Sequence, residues 1–128
     1  MAATIIRPGE RRLEPVGSST AHAQSPAAPS SPATGAILRQ IVCDDRPYVH
    51  LVEVPAHHRI APHRHSEAEV TIILSGSARI AGTDCEPGTV IVIPAEEDYA
   101  IDVGAQPLTM VVVRPARAQY RWSEPEHA

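Results

Sequence analysis

The chain has 128 residues, a formal net charge of −4, and 20% charged and 43% apolar side chains. That length supports one domain rather than two, and the acidic balance argues against nucleic-acid or anionic-membrane partners, which reward a basic surface. All eleven basic residues are arginine, and two cysteines are too few for a disulfide framework, so a reducing cytoplasm is the expected compartment.

In chain order, the N-terminal stretch MAATIIRPGERRLEPVG has no long apolar core behind a basic start and does not read as a secretory signal. Glu10 and Glu14, set among Arg7, Arg11 and Arg12, argue against a transit peptide. Thr4 to Arg7 reads as a ragged tail, with a short strand docked elsewhere, on a partner subunit for instance, as the alternative. Residues 17 to 35, GSSTAHAQSPAAPSSPATG, contain no Val, Ile, Leu or aromatic side chain. Such a segment has nothing to bury against its backbone entropy, so residues 1–35 are expected to be a flexible, low-complexity arm and residues 36–128 the folded domain.

The domain alternates short β-prone runs with turn residues. The runs are Ile37 to Val42, Tyr48 to Val54, Ala68 to Leu74, Ser77 to Ala81, Val90 to Ile93, Tyr99 to Val103 and Leu108 to Arg114. Seven short strands with frequent breakers predict an antiparallel sandwich or barrel. Crossover helices for a parallel sheet have no room. The runs VIVI and MVVV are apolar on both faces, which suits strands lying between two layers or between a sheet and a partner subunit. The tail ARAQYRWSEPEHA is polar, and its Tyr120 and Trp122 can pack a sheet edge. No apolar run approaches a membrane span.

The informative segment is PHRHSEAEVTIILSG, residues 62 to 76. His63 and His65 are two apart and share one face of an extended chain. Glu67 and Glu69 keep that parity if no bulge intervenes. Two imidazoles and a carboxylate suit a divalent transition metal with open positions. Thr71 has Glu69's parity and narrows any interior space; Arg79, after Gly76, has it too and reads as a solvated arginine, with an inward substrate contact as the alternative. Tyr48 and His50 share parity on the preceding strand and contact a substrate if that face is inward. His57 and His58 read as exposed loop histidines, with metal ligation as the alternative, and Cys43 and Cys85 as free thiols. Glu96-Glu97-Asp98 reads as a solvated acidic loop. The chain has no Gly-rich phosphate loop and no nucleophile elbow.

The spacing His63, one residue, His65, three residues, Glu69, six residues, Gly76 resembles the first motif of the cupin superfamily. The family's opening Gly is replaced by His57. The second motif is half present: Gly88, five residues, Pro94, then Glu96 where the family has Gly and Tyr99 where it has a metal-binding His. The resemblance implies an all-β, antiparallel jelly-roll barrel. It implies that His63, His65 and Glu69 hold one divalent transition metal (Fe, Mn, Ni, Co or Zn), with Tyr99 at the fourth ligand's place. Tyr99 is then a phenolate ligand, a proton-transferring phenol beside a three-ligand metal, or a core residue of a degenerate site. The implied function is a metal-dependent enzyme acting on a small organic substrate, by oxygenase or by lyase, isomerase or cyclase chemistry, in specialised metabolism. The rival is a non-enzymatic binding module, a sensor or structural barrel. A homodimer is expected.

Overall fold

The computed structural model describes residues 3–15 and 37–122. Burial alternates along its extended segments, as period-two side-chain geometry demands. On one strand Tyr48, His50, Val52 and Val54 are buried while Glu53 is exposed. A short 3-10 turn at Pro8–Glu10 leads into eleven strands. They are β1 (Arg12–Pro15), β2 (Leu38–Asp44), β3 (Tyr48–Val54), β4 (Arg59–His65), β5 (Glu69–Ser75), β6 (Ala78–Ile80), β7 (Thr83–Cys85), β8 (Val90–Ile93), β9 (Tyr99–Val103), β10 (Leu108–Arg114) and β11 (Tyr120–Trp122).

They form two antiparallel sheets. One has the order β1-β2-β3-β10-β5-β8 and the other β11-β4-β9-β6-β7. The apolar inner faces meet in a core of Val52, Val54, Ile73, Ile80, Ile93, Ile101, Val103, Leu108, Met110 and Val112. This is the all-β, antiparallel jelly-roll architecture that the sequence implies. Among the described residues no helix is long and apolar enough to cross a membrane.

Residues 12–15, expected to belong to a flexible arm, instead pair with β2, and Glu14 lies opposite Arg39. Charge explains this better than hydrophobicity. Arg39 is 1% exposed, and its guanidinium donates to Glu14 Oε1 at 2.7 Å. A buried cation without a carboxylate is costly, so β1 is tied down at that point. Residues 17–35, read as low-complexity, lie outside the described residues. β4 also exceeds expectation, because Pro62, Arg64 and two histidines hide a strand. It pairs with β9 with a register break between Ile60 and His63, beside Pro62, which has no N–H for the ladder.

The turn before β4 places one histidine unexpectedly. His57 is exposed and adopts φ 61°, but His58 is buried at 5% exposure, contrary to the loop reading. Neither ring nitrogen of His58 has a hydrogen-bond partner, and burial lowers its pKa. The folded chain therefore binds this proton less readily than the unfolded chain, and its contribution to stability falls as pH drops below about 6.5. His58→Met is expected to raise stability by about 1 kcal/mol at pH 7 and to flatten the loss in acid. Urea titrations at pH 7 and pH 5 check both.

Candidate active site

The site lies between the sheets, at the barrel end where β4, β5, β9 and β10 bring polar side chains inward. On β4, His63 and His65 are each 3% exposed; Glu69 and Thr71 on β5 are 4% and 3% exposed. Tyr99 on β9 is the register partner of His63, and Arg114 on β10 is the partner of Tyr48. On β11, Tyr120 lies opposite His65 and Trp122 opposite His63.

The Glu69 carboxylate is the hub. Arg114 Nε and a terminal guanidinium nitrogen donate to Oε1 at 3.1 and 2.9 Å. Oε2 accepts from the Thr71 hydroxyl in a very short bond and from the Tyr99 hydroxyl at 3.3 Å. The His65 imidazole approaches Oε1 at 3.5 Å. Ring contacts complete the packing. The His63 and His65 centroids are 4.9 Å apart, and His63 lies 4.6 Å from Tyr99. Tyr120 stacks on His63 within 9° and meets His65 edge-on at 4.3 Å. Trp122 touches His63 edge-on at 5.4 Å. Tyr120 and Trp122 are the half-buried members of the group, so they stand between the imidazoles and solvent.

Electrostatics separate the proton roles. Burial lowers the His63 pKa, opposed in part by its bond to Ala61 and by Glu69. His63 Nδ1–H donates to the Ala61 carbonyl at 2.8 Å, which leaves the lone pair of the neutral ring on Nε2. Tyr99 is pushed far above the ordinary phenol range by burial and by the Glu69 charge, so it stays protonated. Burial works against the Arg114 charge, but Tyr120 and Glu69 outweigh it and the guanidinium stays charged.

Tyr48 and His50 are inward and buried, with His50 Nδ1 3.0 Å from the Tyr48 hydroxyl. They reach the hub through Arg114, whose guanidinium lies 5.8 Å from the Tyr48 ring. Tyr48 also meets Arg117, whose guanidinium lies 5.1 Å from the ring. Arg117 belongs to a second charge network in which it binds Asp44 at 2.9 Å, beside Glu14, Arg12 and Arg39. Burial opposes the Glu14 charge, but Arg39 and Arg117 overcome it and hold the carboxyl below its usual range.

Arg79 is not part of the site. It is exposed on β6 between inward Ala78 and Ile80 and lies 3.5 Å from Asp84. The Ser75-Gly76-Ser77 turn resets the parity carried over from Glu69. Glu67 lies in the turn between β4 and β5, and Glu96 is exposed. Cys43 and Cys85 are free thiols. Arg114 and Tyr120 are site residues that the sequence reading did not single out. One signal was present for the arginine: Leu108, Met110, Val112 and Arg114 share the inward parity of a single strand.

The implied divalent metal does not fit this arrangement. His63, His65, Glu69 and Tyr99 are neighbours, but among the described residues no three His, Cys, Asp or Glu groups converge as a ligand set. Both Glu69 oxygens are already engaged, and a buried guanidinium neutralises the carboxylate. A dication added there would face Arg114 at close range with no further anion to offset it. Tyr99 is a neutral phenol in this arrangement, and ligation as a phenolate would require it to lose its proton beside the Glu69 carboxylate.

No protein-family model matches the chain, and no curated protein sequence matches it. Solved structures do match in fold. A cupin-2 domain protein from Rhodospirillum rubrum superposes with a TM-score of 0.67 at 18% identity, over 99% of this chain and 83% of that one. The polyketide cyclase RemF from Streptomyces resistomycificus gives 0.65 at 20% identity, over 78% and 82%. A predicted oxalate decarboxylase from Thermotoga maritima gives 0.64 at 17% identity, over 89% and 100%. The fold is therefore that of the cupins, the double-stranded β-helix barrels. In this chain a carboxylate–guanidinium pair lies at the centre of the site and a tyrosine beside the two motif histidines.

Proposed function

We propose that the chain is a small-molecule enzyme that works by proton transfer inside the barrel, with lyase, isomerase or cyclase chemistry. One observation carries the reading: the His63 and Tyr99 ring centroids lie 4.6 Å apart in one buried cluster, where His63 spends Nδ1–H on the Ala61 carbonyl and keeps the Nε2 lone pair while the Tyr99 hydroxyl is a donor. Groups whose environments drive their pKa values apart are the pattern of an acid and a base. His63 Nε2 accepts the substrate proton. The Tyr99 hydroxyl donates to the oxygen on which charge develops. Arg114 offsets the negative charge that Tyr99 and Glu69 would otherwise share. Substrate enters past Tyr120 and Trp122. The polyketide cyclase and the predicted oxalate decarboxylase lend support as similarly folded proteins named for chemistry on small organic molecules, although fold alone does not assign a reaction.

The test is a turnover screen of aromatic polyketides and of small oxo- and hydroxy-acids, oxalate included. Tyr99→Phe and His63→Ala are each expected to lower kcat by about 10²–10⁴ with little change in KM. Turnover indifferent to both variants removes the reading. Binding without turnover of any compound installs the non-enzymatic module in its place.

A second reading, a transition metal (Fe, Mn, Ni, Co or Zn) on His63 and His65, has one observation in its favour. The bond from His63 Nδ1 to Ala61 is the kind that orients metal-binding imidazoles. It requires Glu69 to leave Arg114. Metal content after purification without chelator is expected to be far below one per chain and the same in His63→Ala. Near-stoichiometric metal that disappears in His63→Ala establishes the second reading.

A further inference from the structure

Tyr48 and His50 are buried, titratable groups for which the proposed proton transfer has no use. Tyr48 is 0% exposed and His50 2%. Their strand lies one place beyond the site, because the sheet order sets β10 between β3 and β5. Arg114 on β10 is the register partner of Tyr48. On the other flank of β10, Val113 pairs with Val70 of β5, and Glu69 is the next residue along. Tyr48, Arg114 and Glu69 therefore form one inward row across neighbouring strands.

The middle member of such a row must be held in place. An arginine side chain has many torsions, and fixing them costs entropy. The hydrogen bonds of Arg114 run to Glu69 Oε1, from Nε and one terminal nitrogen, and to the Tyr120 hydroxyl, from that same nitrogen at 3.2 Å. Two aromatic rings meet its guanidinium, Tyr120 at 5.4 Å and Tyr48 at 5.8 Å. Both distances fall in the range where a guanidinium is attracted to a ring face. The two rings differ in permanence. Tyr120 is half-buried on a three-residue strand, whereas Tyr48 is sealed inside the barrel. Tyr48 is itself fixed: its hydroxyl shares a 3.0 Å hydrogen bond with His50 Nδ1, the two rings standing at 67°. A buried phenol loses heavily if that partner is given up, so the bond resists rotation of the ring.

We propose that Tyr48, clamped by His50, is a positioning residue whose ring seats the Arg114 guanidinium on Glu69. Arg114 stands between this pair and the carboxylate, so Tyr48 and His50 act on the arginine rather than on substrate. With Arg114 seated, Glu69 keeps its counter-charge and the Tyr99 hydroxyl keeps a fixed acceptor. The consequence for turnover rests on the proton-transfer reading; the seating of Arg114 does not.

The experiment reads Arg114 directly and needs no substrate. In the full chain labelled with 15N-arginine, the Arg114 Nε–H signal is identified by its loss in Arg114→Lys, and its exchange with water is followed at fixed pH and temperature. Slow exchange is expected in the wild type, where the donor is buried and bonded. Tyr48→Leu and Tyr48→Met fill much of the space without a ring. Each is expected to speed the exchange about tenfold or more, with circular dichroism and the exchange of the β9 amides unchanged. Tyr48→Phe keeps the ring and is expected to stay within about threefold of the wild type. Exchange at Arg114 indifferent to loss of the ring overturns the inference, and so does Tyr48→Phe as disruptive as Tyr48→Leu. Unfolding of both ringless variants, or a change at Arg114 shared by the β9 amides, marks a tyrosine that only fills space and overturns it as well. Where the turnover screen yields a substrate, Tyr48→Leu is expected to lower kcat about tenfold with KM within about twofold. Absence of turnover with any compound, with the exchange pattern as expected, ends the proton-transfer reading and leaves the seating of Arg114 standing.

Discussion

Arg114→Met is expected to destabilise the fold by about 3–5 kcal/mol, lowering Tm by more than about 10 °C. The substitution leaves the Glu69 carboxylate, 4% exposed, without the guanidinium that donates to it twice. Thr71 and Tyr99 still donate to Oε2, but two neutral donors do not replace a full charge in a dry site. The methionine nearly keeps the volume, so a cavity is not the cause. Combining it with Glu69→Gln removes both charges and is expected to recover most of the loss, because an apolar or neutral replacement of a buried pair is often close to neutral. Thermal and urea unfolding of the two single variants and the double variant form the cycle that measures the coupling. A small effect of Arg114→Met would mean that the carboxylate is hydrated or protonated, and the charge-balance argument against a bound dication would lapse with it.

Gly76→Ala is expected to cost about 3 kcal/mol or more. Gly76 turns the chain from β5 toward β6 at φ +81°, in the left-handed region. A Cβ there would fall on the Pro107 carbonyl oxygen, well inside van der Waals contact, and close to Leu108 Cα. Both obstacles are backbone, so no side-chain rotation relieves them. Gly82 and Gly88 have similar φ values but open space around the missing Cβ. Alanine at either should cost only the conformational part, about 1–2 kcal/mol. Comparing the three by urea unfolding separates conformational strain from the steric clash.

The strands most legible in the sequence were those in which β-branched residues recur between strong breakers. Tyr48–Val54, Val90–Ile93, Tyr99–Val103 and Leu108–Arg114 have the bounds that the sequence suggests. β4, β7 and β11 were hidden for a common reason. RIAPHRH and TDC carry few strand-favouring residues, and YRW, though it has two, is only three residues long, so each depends on a neighbour already in place. β1 was hidden differently, because its anchor is one ion pair to a buried arginine far along the chain.

The convergence of His63, His65, Glu69, Thr71 and Tyr99 follows from parity within strands plus the resemblance that aligns them. What parity cannot supply is the partner that each group chooses. A carboxylate beside two imidazoles reads as a ligand set until an arginine from the last long strand is seen to claim it. Arginine at the end of an apolar run is ordinarily taken as a solvated cap, and so Arg114 escaped notice. Arg79 shows the opposite case: it is solvated, as its leading reading has it, and the inward alternative fails because parity does not survive the turn.

The tether of β1 has a kinetic consequence. Pro15 and Leu38 are joined across residues 16–37, and closing such a span costs chain entropy that neighbouring hairpins avoid. β1 is also an edge strand of four residues with a single flanking partner. Like the short edge strands β7, β8 and β11, it is expected to open more readily than the central strands under native conditions. Each departure uncovers Arg39 and withdraws one carboxylate from Arg117. The Tyr48 end then keeps its arginines with one carboxylate fewer, at a frequency set by how often four residues let go.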